Sequence, residues 1–111
     1  MGLVERIQKH ALDSFPEEAV GYIDLTGYHK LPNVSNLPRE SYSLSLDDRF
    51  LVSDLHDRAE LVALVHSHTR LDSSPSEKDM EAHSATGYDF YIIGTDGKTT
   101  TKIRRILWSK Q

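Results

Sequence analysis

Two histidines one residue apart, His66-Ser67-His68, are followed after seven residues by Ser76 and after two more by Asp79. At the end of a strand, side chains two positions apart share a face. Their backbones then lie about 6–7 Å apart, close enough for both imidazoles to converge on one cation. Neutral imidazole is the commonest zinc ligand, and a carboxylate completes a three-ligand set. Asp79 offers that carboxylate from the first turn of a following helix, after a loop long enough to fold back. Three protein ligands leave a fourth position for water, which is the arrangement of a catalytic zinc site and not of a structural one. Such a water needs a base to take its proton. Glu18, directly before the apolar Ala19-Val20 and Gly21, is the candidate base. Ser76 offers a hydroxyl that can donate to the oxygen that turns negative in a tetrahedral intermediate.

Plainer readings accompany these residues. Ser76 with Asp79 is also a capping box, and the two roles are compatible. His83, four after Asp79 on the same helix face, could support the cluster, but an exposed helix histidine is the expectation. His10, His29 and His56 fall outside any ligand spacing and are expected at the surface or hydrogen-bonded. Ser67 is expected to be a spacer between two ligands. Trp108 and the five tyrosines are expected in core or hairpin packing.

The elements that must position this set are legible in the periodicities. Leu3, Ile7, Ala11 and Phe15 make an amphipathic helix over 3–15, which Pro16 ends. Residues 18–24 form a β-rich run that turns at Thr26-Gly27 into a second strand over 28–34. A loop is expected over 33–40, and the alternation of 41–46 predicts a half-buried strand. Helical register returns over 46–58, where Asp47-Asp48 suit the helix start. The most apolar run, 60–66, predicts a central strand buried on both faces. A loop over 69–75, a helix over 76–85 capped by Ser76, and a strand over 88–95 follow. Asp96-Gly97 then signals a type I′ hairpin into a returning strand over 98–108. The expected class is α/β: a single mixed sheet flanked by helices.

Composition narrows the function classes. A chain of 111 residues allows one compact domain, residues 1–111. Net charge is -4, and the one tight basic pair, Arg104-Arg105, lies in a strand-like segment. Nucleic-acid binding, which rests on clustered Lys and Arg, is therefore not expected. There is no cysteine, which removes disulfides, thiolate zinc fingers and thiol nucleophiles. No apolar stretch approaches the roughly 18 residues of a membrane span, and no secretory signal is evident. The expected location is the cytoplasm of a bacterium or infected host, or a virion tail assembled there.

The pattern resembles a known family. His66-x-His68, Ser76 and Asp79 match the JAMM signature H-x-H-x7-S-x2-D at every fixed position. That match arises by chance in roughly 3 of 1000 shuffled chains of this composition. Pro16-Glu17-Glu18-Ala19-Val20-Gly21 fits the family's upstream P-x-E-x-x-G element, which selects Glu18 over Glu17. Nearly the whole chain is similar to a minimal JAB/MPN domain of the compact prokaryotic or phage-tail type. Two positions depart: Thr69 stands where the family usually has Pro, and Ala19-Val20 where many phage-type relatives have Cys-Cys. Neither supplies a ligand or a base.

The resemblance implies a JAB/MPN, cytidine-deaminase-like fold and a zinc metallopeptidase. In it His66, His68 and Asp79 hold Zn2+, Glu18 is the general base, and Ser76 helps stabilise the oxyanion. The implied substrate is a peptide or isopeptide in a ubiquitin-like or sulfur-carrier protein tail, a phage tail protein or a cell-wall peptide. The chain has no room for the insertions by which eukaryotic relatives grip ubiquitin chains. Two other readings stay open: a non-catalytic MPN-like assembly module partnering other phage tail proteins, and a metal-dependent hydrolase of non-peptide amides.

Overall fold

The computed structural model describes residues 1–108. Helix α1 (Leu3–Ser14) leads into strands β1 (Val20–Asp24) and β2 (Gly27–Leu31). Helix α2 (Leu46–Asp57), strand β3 (Ala63–His68), helix α3 (Glu77–Thr86), and strands β4 (Phe90–Gly94) and β5 (Arg104–Ile106) follow. The strands form one mixed sheet in the order β2-β1-β3-β4-β5. β3 and β4 are parallel, joined through α3, and the other pairs are antiparallel. The α/β class and the central position of the apolar strand are as expected.

Alternation along β3 divides the core. Ala63 and Val65 face one side with Ile7, Ala11, Ile23, Tyr28 and Ile93, which is where α1 buries its apolar stripe. Leu64 faces the other side with Val20, Leu31, Val52 and Phe90, under α2. Every residue of β3 is buried: the apolar Ala63-Leu64-Val65 meets both cores, and the polar His66-Ser67-His68 is buried at its carboxyl end. His66 and His68 share the face of Leu64.

Three expectations need correction. Residues 41–46 do not form a strand. Tyr42 and Leu44 do pack on the second core, so the alternation is real. However, the backbone bonds to the neighbouring loop, with Val34 N–H donating to Ser43 O at 3.0 Å and Asn33 Nδ2 to Ser41 O at 3.0 Å. Alternation reports one-sided burial and not ladder pairing. The returning strand is likewise only Arg104–Ile106, and Asp96-Gly97 is not a two-residue hairpin turn. Asp96 Oδ1 accepts from the N–H groups of Lys98 and Thr99, each at 2.9 Å, and so winds a wider loop. β3, finally, runs from Ala63 to His68 and not from residue 60, which carries both histidines inside the strand.

Among the described residues no helix is long and apolar enough to cross a membrane.

Candidate metal centre

The cluster forms at the carboxyl end of β3, where the chain leaves the sheet for α3. Asp79 is held there by the capping box of α3: its N–H donates to Ser76 Oγ at 3.1 Å, and its Oδ2 accepts from the Ser76 N–H at 2.9 Å. The bland and the chemical readings of Ser76 and Asp79 therefore coexist. The same cap aims the carboxylate at the strand, where Oδ1 lies 3.0 Å from His66 Nε2 and Oδ2 lies 3.0 Å from His68 Nε2. One ligand atom from each of the three residues falls within 4.8 Å of the others.

The two imidazoles are held differently. His68 Nδ1 is 3.1 Å from the carbonyl oxygen of Asp72, and its Nε2 hydrogen-bonds Asp79 Oδ2. Burial pulls its pKa down, but Asp79 and the Asp72 carbonyl outweigh that and the net shift is upward. Gly94 makes the Asp72 contact possible, because a Cβ there would collide with the Arg70 carbonyl and the Asp72 amide. His66 is 1% exposed, and neither of its ring nitrogens has a hydrogen-bond partner. Burial lowers its pKa. The 3.0 Å approach of its Nε2 to Asp79 lacks hydrogen-bond alignment. The ring instead packs against Tyr42, centroid to centroid 4.7 Å, with Phe90 edge-on at 6.1 Å.

This donor set fits a divalent cation. An orphaned buried imidazole nitrogen, a second imidazole oriented by a carbonyl, and a buried carboxylate share one point. Burial alone would push the Asp79 carboxyl up, but its contacts with His66, His68 and the Ser76 amide hold it well below the ordinary carboxylate range. The anion is thus available as a ligand.

Glu18 is 8% exposed and lines the same cleft as His68, Ser76 and Asp79. Val20 pairs with His66 across β1 and β3, and continuing that register by two residues sets Glu18 opposite His68. Its backbone is pinned, the N–H donating to Pro38 O at 2.7 Å and the carbonyl accepting from Asn33 Nδ2 at 2.9 Å. Its carboxylate takes no hydrogen bond from the described residues. Burial pushes its pKa up to about 7, against the pull of His68, Arg70 and Lys78. Gly21 is required nearby, since a Cβ there would lie 2.5 Å from the His29 carbonyl and the Tyr28 hydroxyl.

Sequence reasoning missed three neighbours. Ser67 is no mere spacer: it is 1% exposed and its Oγ accepts from the Ala19 N–H at 2.7 Å. Tyr42 covers His66, and the alternation of its segment was the signal that could have found it. His83 is buried, not exposed, because its Nδ1 reaches the Tyr88 carbonyl at 2.8 Å and its ring meets Phe90 edge-on. It is not among the three clustered ligands. His10 is hydrogen-bonded to the Tyr28 hydroxyl at 2.7 Å, His29 bonds Asp24 and Thr26, and His56 is exposed.

Comparison with known proteins agrees with this architecture. The solved structure of a JAB1/MPN domain protein from Archaeoglobus fulgidus is similar, with a TM-score of 0.58 and 20% identity, covering 93% of this chain and 83% of that one. A solution structure from Desulfitobacterium hafniense has a TM-score of 0.68 at 18% identity, covering 95% and 86%. In sequence, the chain is 30% identical over 94 residues to the tail tip assembly protein K of Escherichia phage N15. That match covers 81% of this chain, which spans only 37% of the length of the phage protein. Residues 2–108 match the family model for prokaryotic homologs of the JAB domain, and the chain belongs to that family.

Proposed function

We propose that this domain is a JAMM-type zinc metallopeptidase that hydrolyses a peptide or isopeptide bond. The observation that carries the reading is the convergence of His66, His68 and Asp79 on one point, with the Glu18 carboxylate lining the same cleft. His66, His68 and Asp79 would hold the cation, and two imidazoles with one carboxylate suit zinc. When bound, the cation supplies a Lewis acid that acidifies water and polarises the scissile carbonyl.

The chain's own groups do the remaining work. Burial raises the pKa of Glu18 to about 7 in the metal-free protein, and a bound cation would favour its ionised form, the state that takes a proton from water. Hydroxide adds to the carbonyl carbon, the carbon–nitrogen bond breaks, and Glu18 returns its proton to the departing amine. The Ser76 oxygen accepts from the Asp79 N–H, which leaves its hydroxyl hydrogen free to donate to the developing oxyanion.

The test is a peptide library incubated with zinc-loaded wild type and with Glu18→Gln carrying the same zinc. New amino termini with wild type and none with the variant are the expected result. Zinc-loaded wild type that cleaves no peptide would leave the second reading, an assembly module. That reading is favoured by the similarity to a tail tip assembly protein, and other tail proteins would be its partners.

A further inference from the structure

Glu18, His68, Ser76 and Asp79 gather at one end of the cleft. Both elements that carry ligands continue into its other end. On β3, Leu64 lies on the face of His66 and His68, each step of two residues spanning about 6.6 Å. On α3, Ala82 lies one turn past Asp79 on the same face, about 4.5 Å along the axis. Leu64 and Ala82, together with Val52, Tyr88 and Phe90, floor the apolar end of the cleft, whose whole volume, polar end included, is about 600 Å³. Val52, Leu64 and Phe90 belong to the second core, so this recess is shallow over them. Leu46 and Phe50, four apart at the start of α2, form its lip, and each is 64% exposed.

Water in such a recess finds almost no hydrogen-bonding partners, so an apolar group that displaces it gains free energy. The spacing decides which group. One residue of an extended peptide advances about 3.3 Å, so a chain with its carbonyl at the ligand cluster brings a neighbouring side chain over Ala82 and Leu64. Charge decides what flanks it. Arg49, Arg70 and Lys78 line the cleft against Glu18, Glu40 and the ligand Asp79, and Arg70 is paired with Asp72. Among the described residues, Arg49 and Lys78 make no ion pair.

Resting on the peptidase reading, we infer that this recess is the specificity pocket of the site. It receives one large apolar side chain, aromatic or leucine-like, of an extended peptide that also carries an acidic group for the cationic rim. Small glycine-rich tails are then poor substrates.

The test is binding to zinc-loaded Glu18→Gln, which keeps a peptide intact. A single Phe is walked through each position of an acetylated Gly-Ser peptide amide containing one Asp, and amide chemical shifts are followed. One Phe position should bind about tenfold or more tighter than the all-Gly-Ser peptide, shifting the amides of Leu64, Ala82 and Phe90. Replacing Asp by Asn should weaken binding at low salt. Ala82→Trp, which fills the recess, should remove the Phe preference with zinc content unchanged. Should that variant not fold, Phe50→Ser on the exposed lip should reduce the same preference. Equal affinity at every Phe position, shifts outside the cleft, or shifts that follow chain concentration because a second copy fills the recess would each overturn the inference. The two readings fail separately: cleavage without apolar preference sinks the pocket, whereas apolar binding without cleavage sinks the peptidase.

Discussion

The Ser67 hydroxyl oxygen accepts a hydrogen bond from the Ala19 N–H at 2.7 Å, while the Ser67 N–H donates to the Ala19 carbonyl at 3.0 Å. The residue between the two histidines thus grips the residue after Glu18 through both backbone groups of Ala19. This clasp continues the β1–β3 register beyond Val20 and sets the glutamate across from His68.

Ser67→Ala should therefore act on turnover and not on metal. It strands a buried N–H at a cost of about 1–3 kcal/mol and loosens Glu18. Thermal melting should fall, and kcat should drop more than KM changes, with zinc content unaltered. Ser67→Thr keeps the acceptor and should restore most of kcat.

The raised pKa of Glu18 makes a prediction about pH. Burial holds it at about 7 in the metal-free protein, so the folded state keeps a proton that the unfolded chain releases above its ordinary carboxylate range. Unfolding free energy therefore falls as pH rises from about 4 to 7 on account of this group, and the penalty is complete above that window. Glu18→Gln should stabilise the metal-free protein at pH 8 and leave it unchanged at pH 4, as denaturant titrations at the two pH values will read. In the zinc-loaded enzyme, kcat/KM should rise with pH through an acid limb at or below 7, because a nearby cation favours the ionised base.

Asp79 performs two tasks that substitutions can separate. Asp79→Asn keeps an oxygen for the Ser76 N–H but loses the charge, so zinc affinity should collapse with only a small loss of stability. Asp79→Ala should lose zinc and, in addition, about 1 kcal/mol of helix capping. Metal titration and thermal melts of the two variants check both halves.

Because His66 has no hydrogen-bond partner, its orientation depends on ring packing against Tyr42. Tyr42→Leu should weaken zinc binding by about tenfold or more, the usual consequence of losing support behind a ligand. Tyr42→Phe keeps the ring and should bind zinc as wild type does. Equal weakening in both variants would show that the hydroxyl, and not the stacking, matters.

The site was more legible in the sequence than parts of the fold. Strand alternation, the H-x-H spacing and the capping box are local rules, so His66, His68, Ser76 and Asp79 could be brought together without knowing the rest. Glu18 was a candidate from its apolar context, but selecting it over Glu17 needed the resemblance, since only a non-local strand pairing sets it opposite His68. Residues 41–46 and 98–108 misled because alternation and a D-G pair report burial and turning, whereas strand length depends on which partner the backbone finds. Here Asn33 and Asp96 side chains took backbone groups that a ladder would have used. Ser67, expected as a spacer, and His83, expected as an exposed helix histidine, were misjudged for a related reason: their partners, the Ala19 N–H and the Tyr88 carbonyl, lie outside their own elements.

The most direct measurement is the zinc content of wild type, Asp79→Ala and Glu18→Ala, purified without added metal and read by elemental analysis. One zinc per chain in wild type and Glu18→Ala, with little in Asp79→Ala, is the predicted result: the ligands bind and the base stands apart. No zinc in any of them after reconstitution, or equal loss in Glu18→Ala, would contradict the account.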